Sequence, residues 1–198
     1  MKVGVLGLQG DVPEHRRAIT AADPTATLVT VRSPADLTSL EALFLPGGES
    51  TTMARLLKLS GLWTPLGAAL SAGLPVLATC AGLILLSDRL EPTEGAPDPP
   101  TLGGIDVTVK RNDYGRQRES FEATVRLPEL GIPAFPGVFI RAPRVRRVGP
   151  AAEPIAWQGT EVVGLRQGLR WGLTFHPELS DDRRITRAFL AAARARSQ

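Results

Sequence analysis

The chain has 198 residues, of which 43% are hydrophobic and 22% charged, with a net charge of +3 at pH 7. This length suits one domain spanning residues 1–198, and the composition excludes a disordered or collagen-like chain. The single cysteine, Cys80, excludes an intramolecular disulfide and multi-cysteine zinc sites, and it is typical of a protein of the reducing cytoplasm.

The sequence predicts neither a membrane nor a nucleic-acid partner. The apolar run at the N-terminus is shorter than the core of a secretory signal, and acidic residues follow it directly. The uncharged stretch 59–87 is interrupted by two prolines and four glycines, so it predicts buried helices and a strand rather than a membrane span. The basic residues are mostly scattered arginines interleaved with acids, and only 5% of residues are aromatic, which is not typical of a nucleic-acid surface.

The first half of the chain alternates strand and helix patterns. Short apolar runs bounded by turn residues predict strands, and apolar residues at helical spacing predict helices. In chain order, these are the strand 3–8, the helix 13–22, the strands 26–31 and 42–45, the helices 51–59 and 62–72, the strand 75–79 and the helix 83–86. This alternation predicts a parallel, doubly wound α/β sheet covered on both faces.

The second half has a different pattern. A stretch rich in Pro and Gly at 91–104 predicts a surface loop, and six short strand patterns then precede one helix: 105–110, 121–127, 137–140, 154–157, 161–166, 171–175 and the helix 181–196. We expect these strands to extend the sheet in antiparallel fashion. Ser180 is expected to cap the last helix, with acids in its first turn and arginines in its last.

The first candidate for chemistry is Cys80, which lies between a predicted apolar strand and a predicted helix. The small residues Ala78 and Gly82 flank it at two positions on either side. This pattern is typical of a nucleophile elbow, in which a strained turn exposes the side chain and close packing admits only small neighbours. A helix N-terminus beneath the sulfur would favour the thiolate. A lone cysteine can also be a small buried residue of the hydrophobic core, so the surrounding residues must distinguish a nucleophile from a core residue.

Two further features follow predicted strands. His176 and Glu178 come directly after the strand 171–175, and a cysteine nucleophile needs a base and a group that orients that base. The turn 46–50 contains two glycines that let a backbone N–H point at a ligand oxygen, and Ser50 is a candidate cap for the next helix. Each feature also fits an ordinary loop. The carboxyl ends of neighbouring parallel strands meet at one edge of a sheet, so we expect all three features there.

Seven segments, in this order, resemble the glutaminase subunits of the two-component pyridoxal 5′-phosphate synthases, a branch of the class I (triad) glutamine amidotransferases. They are GVLGLQG at 4–10, LPGGESTTM at 45–53, TCAGL at 79–83, RNDYGRQ at 111–117, SFE at 120–122, VFIRAP at 138–143 and FHPEL at 175–179. The segments at 111–117 and 138–143 distinguish this branch from other class I members. Ala78 stands where relatives often have Gly, and it is still small.

The resemblance implies a three-layer, flavodoxin-like α/β sandwich that hydrolyses L-glutamine to L-glutamate and ammonia without a cofactor or metal. It implies that the ammonia passes to a synthase subunit within a hetero-oligomer. Cys80 would be the nucleophile, His176 the acid and base, and Glu178 the residue that orients the imidazole. The N–H groups of Gly48 and Ala81 would form the oxyanion hole. The implied glutamine contacts are Gly48, Glu49, Ser50, Arg111, Ile140 and Arg141.

Two readings from other classes stay open at this point. A cysteine hydrolase or deglycase of the related flavodoxin-like superfamily would also present an elbow, although it usually lacks a His-x-Glu pair after the last strand. A non-catalytic regulatory subunit would be expected to lack a triad member, whereas Cys80, His176 and Glu178 are all present. The loop at Gln9 and Gly10 follows a strand at the same sheet edge, and we expect it to contact the partner subunit.

Overall fold

The computed structural model describes residues 1–93, 97–111, 113 and 120–196. Of the family-specific segment at 111–117, therefore, only Arg111 and Asp113 fall within the described residues. The other members of that segment, which include the predicted Gly-Arg-Gln, lie outside them.

Twelve strands and five α-helices make up the described fold. The strands are β1 Lys2–Leu6, β2 Thr27–Val31, β3 Ala42–Leu45, β4 Val76–Thr79, β5 Ser87–Glu91, β6 Ile105–Lys110, β7 Ser120–Leu127, β8 Ile132–Ile140, β9 Arg144–Val148, β10 Glu153–Gln158, β11 Glu161–Gln167 and β12 Arg170–Leu173. The helices are α1 Val12–Ala22, α2 Ser50–Leu59, α3 Trp63–Ser71, α4 Ala81–Leu86 and α5 Arg184–Arg196. Every predicted helix and strand therefore exists, with ends that shift by a few residues.

The strands form a nine-stranded sheet in the order β2-β1-β3-β4-β12-β11-β10-β7-β8 and a three-stranded sheet in the order β5-β6-β9. The first five strands of the large sheet run parallel, and the remaining four join them in antiparallel fashion. This arrangement confirms the predicted α/β class and its antiparallel additions. It also makes β4 and β12 parallel neighbours, so the residues that follow them emerge at one edge.

Two hydrophobic cores cover the two faces of the large sheet. Because side chains alternate along a strand, Leu43 and Leu45 enter the core formed with α2, α3, α4 and β6, whereas Phe44 enters the core formed with α1 and α5. Helices thus cover both faces of the parallel part, which gives the three layers. The uncharged stretch 59–87 becomes α3, β4 and α4, and no helix of the described residues is long and apolar enough to cross a bilayer.

Sequence patterns missed two strands and shortened a third. β5 and β9 were not predicted because each carries exposed charged residues that hide the apolar pattern. β8 begins at Ile132, five residues before the predicted start, and it contains Pro133 and Pro136. Proline is tolerated there because β8 is the last strand in the order of the sheet, so it pairs with a strand on one side only.

Both serines that were expected to cap helices were wrongly assigned. Helix α2 begins at Ser50 itself, and its cap is the Glu49 carboxylate, which accepts hydrogen bonds from the backbone N–H groups of Thr51 at 3.1 Å and Thr52 at 2.6 Å. The last helix begins at Arg184, so the predicted acids precede its first turn. Ser180 instead ends a short 3-10 turn, donating its hydroxyl to a backbone carbonyl at 3.2 Å. The arginines predicted for the last turn are present.

Candidate active site

A cavity of about 250 Å³ opens at the edge where β1, β3, β4 and β12 end. Most of the residues that the sequence singled out line this cavity: Gly48, Glu49, Ser50, Cys80, Arg111, Ile140, Arg141 and His176. Glu178 and Ala81 are buried behind this lining. Sequence reasoning did not identify three further lining residues as part of the site, namely Gln9, Asp11 and Ile84.

Cys80 occupies a strained turn between β4 and α4. Its backbone has φ 49° and ψ −106°, a left-handed conformation that costs a non-glycine residue energy. A Cβ atom at Gly82 would lie 2.3 Å from the carbonyl oxygen of Leu45, so only glycine fits there. The sulfur lies 3.8 Å from the carbonyl oxygen of Ile140. Ala81 is the first residue of α4, and its N–H is therefore not consumed by the helix ladder.

Two carboxylates approach the same nitrogen of the buried His176 ring. Nδ1 lies 2.8 Å from Oε1 of Glu178 and 3.0 Å from Oδ2 of Asp11. An ionised carboxylate only accepts hydrogen bonds, so Nδ1 carries a hydrogen and Nε2 is left to exchange a proton on the cavity side. The other side of the ring packs on backbone, because a Cβ at Gly47 would lie 2.3 Å from Cε1 of His176.

The surroundings of these two residues favour a charged pair. Burial disfavours the imidazolium, but the interactions with Asp11, Cys80 and Glu178 outweigh it and raise the pKa of His176 above its usual 6.5. Burial likewise disfavours the carboxylate of Glu178, whereas the interactions with His15 and His176 outweigh it and hold the pKa of Glu178 below its usual value. Both shifts in pKa favour the imidazolium–carboxylate form of the pair over its neutral form.

The loop after β1 packs against the turn at 46–50. The side-chain oxygen of Gln9 accepts a hydrogen bond from the backbone N–H of Glu49 at 2.9 Å, and the backbone N–H of Asp11 donates to the carbonyl oxygen of Gly47 at 3.3 Å. Gly10 has φ 105°, and a Cβ there would lie 1.8 Å from the same carbonyl oxygen. The loop thus holds the backbone of the Gly47–Gly48 turn through contacts that would change if the loop moved.

Arg111 brings a buried positive charge to the cavity. Its guanidinium donates hydrogen bonds to the hydroxyls of Ser50 at 3.2 Å and Thr51 at 3.1 Å, and Nε lies 3.2 Å from a carboxylate oxygen of Asp98. These contacts fix the orientation of the Arg111 side chain, so its guanidinium is held at the wall of the cavity. A guanidinium in that position suits a carboxylate ligand.

Within the described residues, one group of side chains has donor atoms close enough for a metal ion. Asp11, His176 and Glu178 each bring one atom to within 4.8 Å of the others. However, Nδ1 of His176 already hydrogen-bonds Oε1 of Glu178, and an ion would have to displace that hydrogen. The expectation that the protein uses no metal stays a prediction.

Comparison with known proteins shows the family of the chain. The profile of the SNO glutamine amidotransferase family matches residues 5–194. The chain is 48% identical to the pyridoxal 5′-phosphate synthase subunit PdxT of Streptomyces avermitilis over 98% of this chain and 94% of that protein. It is 47% identical to PdxT of Thermococcus kodakarensis over 98% of this chain and 99% of that protein.

Solved structures give the same result for the fold. The crystal structure of a glutamine amidotransferase superposes with a TM-score of 0.87 and 42% identity, covering 96% of this chain and 98% of that one. The structure of PurLQS from Thermotoga maritima shares the fold at a TM-score of 0.68 and 13% identity, covering 100% of this chain and 98% of the matched one. The chain belongs to the SNO glutamine amidotransferase family.

Proposed function

We propose that this protein is the glutaminase subunit of a pyridoxal 5′-phosphate synthase, which hydrolyses L-glutamine to L-glutamate and ammonia. The observation that carries this proposal is one cavity lined by the elbow cysteine, by a histidine held on a buried glutamate, and by the buried guanidinium of Arg111. The PdxT relatives, which match nearly the whole chain, give the proposal its biological setting.

The first half of the reaction forms a thioester. The Cys80 thiolate attacks the side-chain carboxamide carbon, and the N–H groups of Gly48 and Ala81 hold the oxygen that becomes negative. When the tetrahedral intermediate collapses, the C–N bond breaks and the nitrogen leaves as ammonia. The leaving nitrogen needs a proton, and protonated His176 supplies it from Nε2.

The second half returns the enzyme to its starting state. His176, now neutral, takes a proton from a water molecule, and the resulting hydroxide adds to the thioester carbon. Cys80 leaves as the thiolate and glutamate forms. Throughout, Glu178 keeps Nδ1 as the hydrogen-bearing nitrogen, so Nε2 is always the atom that exchanges the proton.

Charged groups at the wall of the cavity suit the amino-acid end of glutamine. The guanidinium groups of Arg111 and Arg141 would bind the α-carboxylate, and the main chain of Ile140 and the side chain of Ser50 would complete the contact. Burial alone would raise the pKa of Glu49, but the N–H groups of Thr52 and Thr51 outweigh it and lower that pKa. Glu49 is therefore anionic and suits the α-ammonium group.

The ammonia would pass to a synthase subunit in a hetero-oligomer, as the family implies, and the Gln9–Gly10 loop is the contact that we propose on this chain. That loop touches both the cavity and the Gly47–Gly48 turn. We further propose that residues 1–198 form a single domain and that the protein works in the reducing cytoplasm.

Ammonia release from glutamine, measured with and without the cognate synthase, tests this function. The proposal expects glutamine-dependent ammonia release that requires Cys80. Hydrolysis of peptides or deglycation of adducts in the absence of glutaminase activity would instead favour the cysteine hydrolase reading. Failure to hydrolyse any of these substrates in the presence of the synthase would favour a non-catalytic subunit.

A further inference from the structure

His15 is a buried histidine that the proposed reaction does not use. It lies in the first turns of α1, it is 1% exposed, and it is not among the residues that line the cavity. Its Nε2 atom lies 3.1 Å from the hydroxyl oxygen of Thr79 and 3.3 Å from Oε1 of Glu178. A polar side chain that is buried at this depth needs hydrogen-bonding partners, and these two groups provide them.

The hydrogens of this cluster can be assigned from its chemistry. The carboxylate of Glu178 only accepts, and the hydroxyl of Thr79, which has a single hydrogen, donates it to Oε1 of Glu178 at 3.3 Å. Thr79 then has no hydrogen left for His15, so Nε2 of His15 carries the hydrogen. That N–H donates a hydrogen bond to the Thr79 oxygen, and its partial positive charge also lies close to the carboxylate of Glu178.

Two hydrogen bonds and one further N–H group therefore converge on the one oxygen that orients the imidazole of His176. Oε1 of Glu178 accepts hydrogen bonds from Nδ1 of His176 at 2.8 Å and from the Thr79 hydroxyl at 3.3 Å, and Nε2 of His15 lies 3.3 Å from the same oxygen. The partners come from three different elements, since His15 belongs to α1, Thr79 ends β4 directly before the elbow, and Glu178 follows β12. The cluster thus joins the orienting carboxylate to the strand that carries the nucleophile.

We propose that His15 is a positioning residue of the glutaminase, acting through Glu178, and that its Nε2–H and the Thr79 hydroxyl hold Oε1 in line with Nδ1 of His176. This inference rests on the proposed function. The ring of His15 is itself held, because it packs at 56° to Phe44 with ring centroids 5.7 Å apart. Its helix begins at the site, since Asp11, the residue before α1, places Oδ2 3.0 Å from Nδ1 of His176.

Two substitutions of His15 separate the donor from the packing. His15→Leu introduces an apolar side chain of similar size and removes the Nε2–H donor. His15→Gln instead places a side-chain N–H close to the position of Nε2. With the synthase present, we expect His15→Leu to lower kcat by about tenfold to a hundredfold, because Thr79 loses a buried hydrogen bond and Glu178 loses a neighbouring N–H group, with KM within about twofold. We expect His15→Gln to stay within about threefold of the wild type.

A second variant and a matched control address folding. Thr79→Val removes the other donor in a side chain of the same shape and should lower kcat in the same direction, by about threefold to tenfold. Ile19→Ala removes buried packing from the same helix without touching the carboxylate, so it should lower Tm and leave kcat unchanged. If His15→Leu does not fold, the kcat values of Thr79→Val and His15→Gln test the proposal. The proposal expects a lowered kcat in Thr79→Val and a kcat close to that of the wild type in His15→Gln.

The alkylation of Cys80 by iodoacetamide gives a readout that packing alone would not move. A loosened carboxylate stabilises the His176 imidazolium less, so the midpoint of the pH dependence of alkylation should move upward in His15→Leu and stay in place in Ile19→Ala. A folded His15→Leu variant with wild-type kcat and an unmoved midpoint would overturn the proposal. If the wild type releases no ammonia from glutamine, the proposed function fails, whereas the alkylation midpoints still confirm or contradict the role of His15.

Discussion

The two sides of the cavity are held in different ways. On one side, Cys80, His176 and Glu178 are nearly inaccessible to solvent and are held by a strained turn and by hydrogen bonds between buried groups. On the other side, the Gly47–Gly48 turn is held through its backbone by the Gln9–Asp11 loop at the protein surface. The difference indicates that Cys80, His176 and Glu178 are preorganised by the fold, while Gly48, the oxyanion donor that we propose, depends on a loop at the protein surface.

The largest effect is expected at Cys80, the proposed nucleophile, on the preorganised side of the cavity. Cys80→Ala should reduce ammonia release from glutamine to the level of the buffer control, because no other thiol exists in the chain. The fold should stay intact, since alanine is also small enough for the elbow. Ammonia release and Tm of the same preparation check both statements. Near wild-type ammonia release would contradict the assignment of the nucleophile.

The next largest effect should separate His176 from Glu178. Histidine carries the proton in every step, whereas the carboxylate orients the ring and stabilises the imidazolium, so His176→Asn should reduce hydrolysis to background. Glu178→Gln should leave measurable activity, about a hundredfold to ten-thousandfold below the wild type. The measurement is kcat of both variants with the synthase present. If His176→Asn is the milder change, His176 is not the acid and base.

The oxyanion side should respond to the partner. We expect this chain to have low activity by itself, and we expect that activity to rise by about a hundredfold on binding the synthase, the typical contribution of one oxyanion donor. The physical reason is that a Gly-Gly peptide can reorient at low cost when its surface loop is engaged. Initial rates of glutamine hydrolysis over a titration with synthase measure this. Equal rates with and without the partner would show that both sides of the cavity are preorganised.

The smallest expected effect concerns stability against pH. The raised pKa of His176 stabilises the folded protein fully below about 6.5, and this contribution is lost as the pH rises towards the folded-state value. The lowered pKa of Glu178 stabilises the protein fully above about 4.5 and is lost in acid. Tm should therefore fall above pH 6.5 more steeply in the wild type than in His176→Asn. Parallel curves would contradict a protonated His176 in the folded state.

Local patterns were sufficient for most of the elements but not for their ends. Strand β3 was predicted to the residue because its four buried apolar residues follow the charged Glu41 and end at the Pro-Gly-Gly turn. Strand β8 was cut short because Pro133 and Pro136 argue against a strand unless it lies at a sheet edge. The cap of α2 was assigned to Ser50 rather than Glu49 because both side chains can accept an N–H, and only the turn geometry decides between them.

The sequence by itself determined the α/β class, the family and the residue types at each strand end, because short-range periodicity and local motifs encode them. Cys80, Gly48 and His176 could thus be named from the sequence. Only the tertiary structure decided that Asp11 shares Nδ1 of His176 and that His15 and Thr79 meet Oε1 of Glu178. These contacts join residues that are distant in the chain and come from different elements. A single sequence carries no signal for such a pairing, since it arises from the order in which β1, β3, β4 and β12 lie in the sheet.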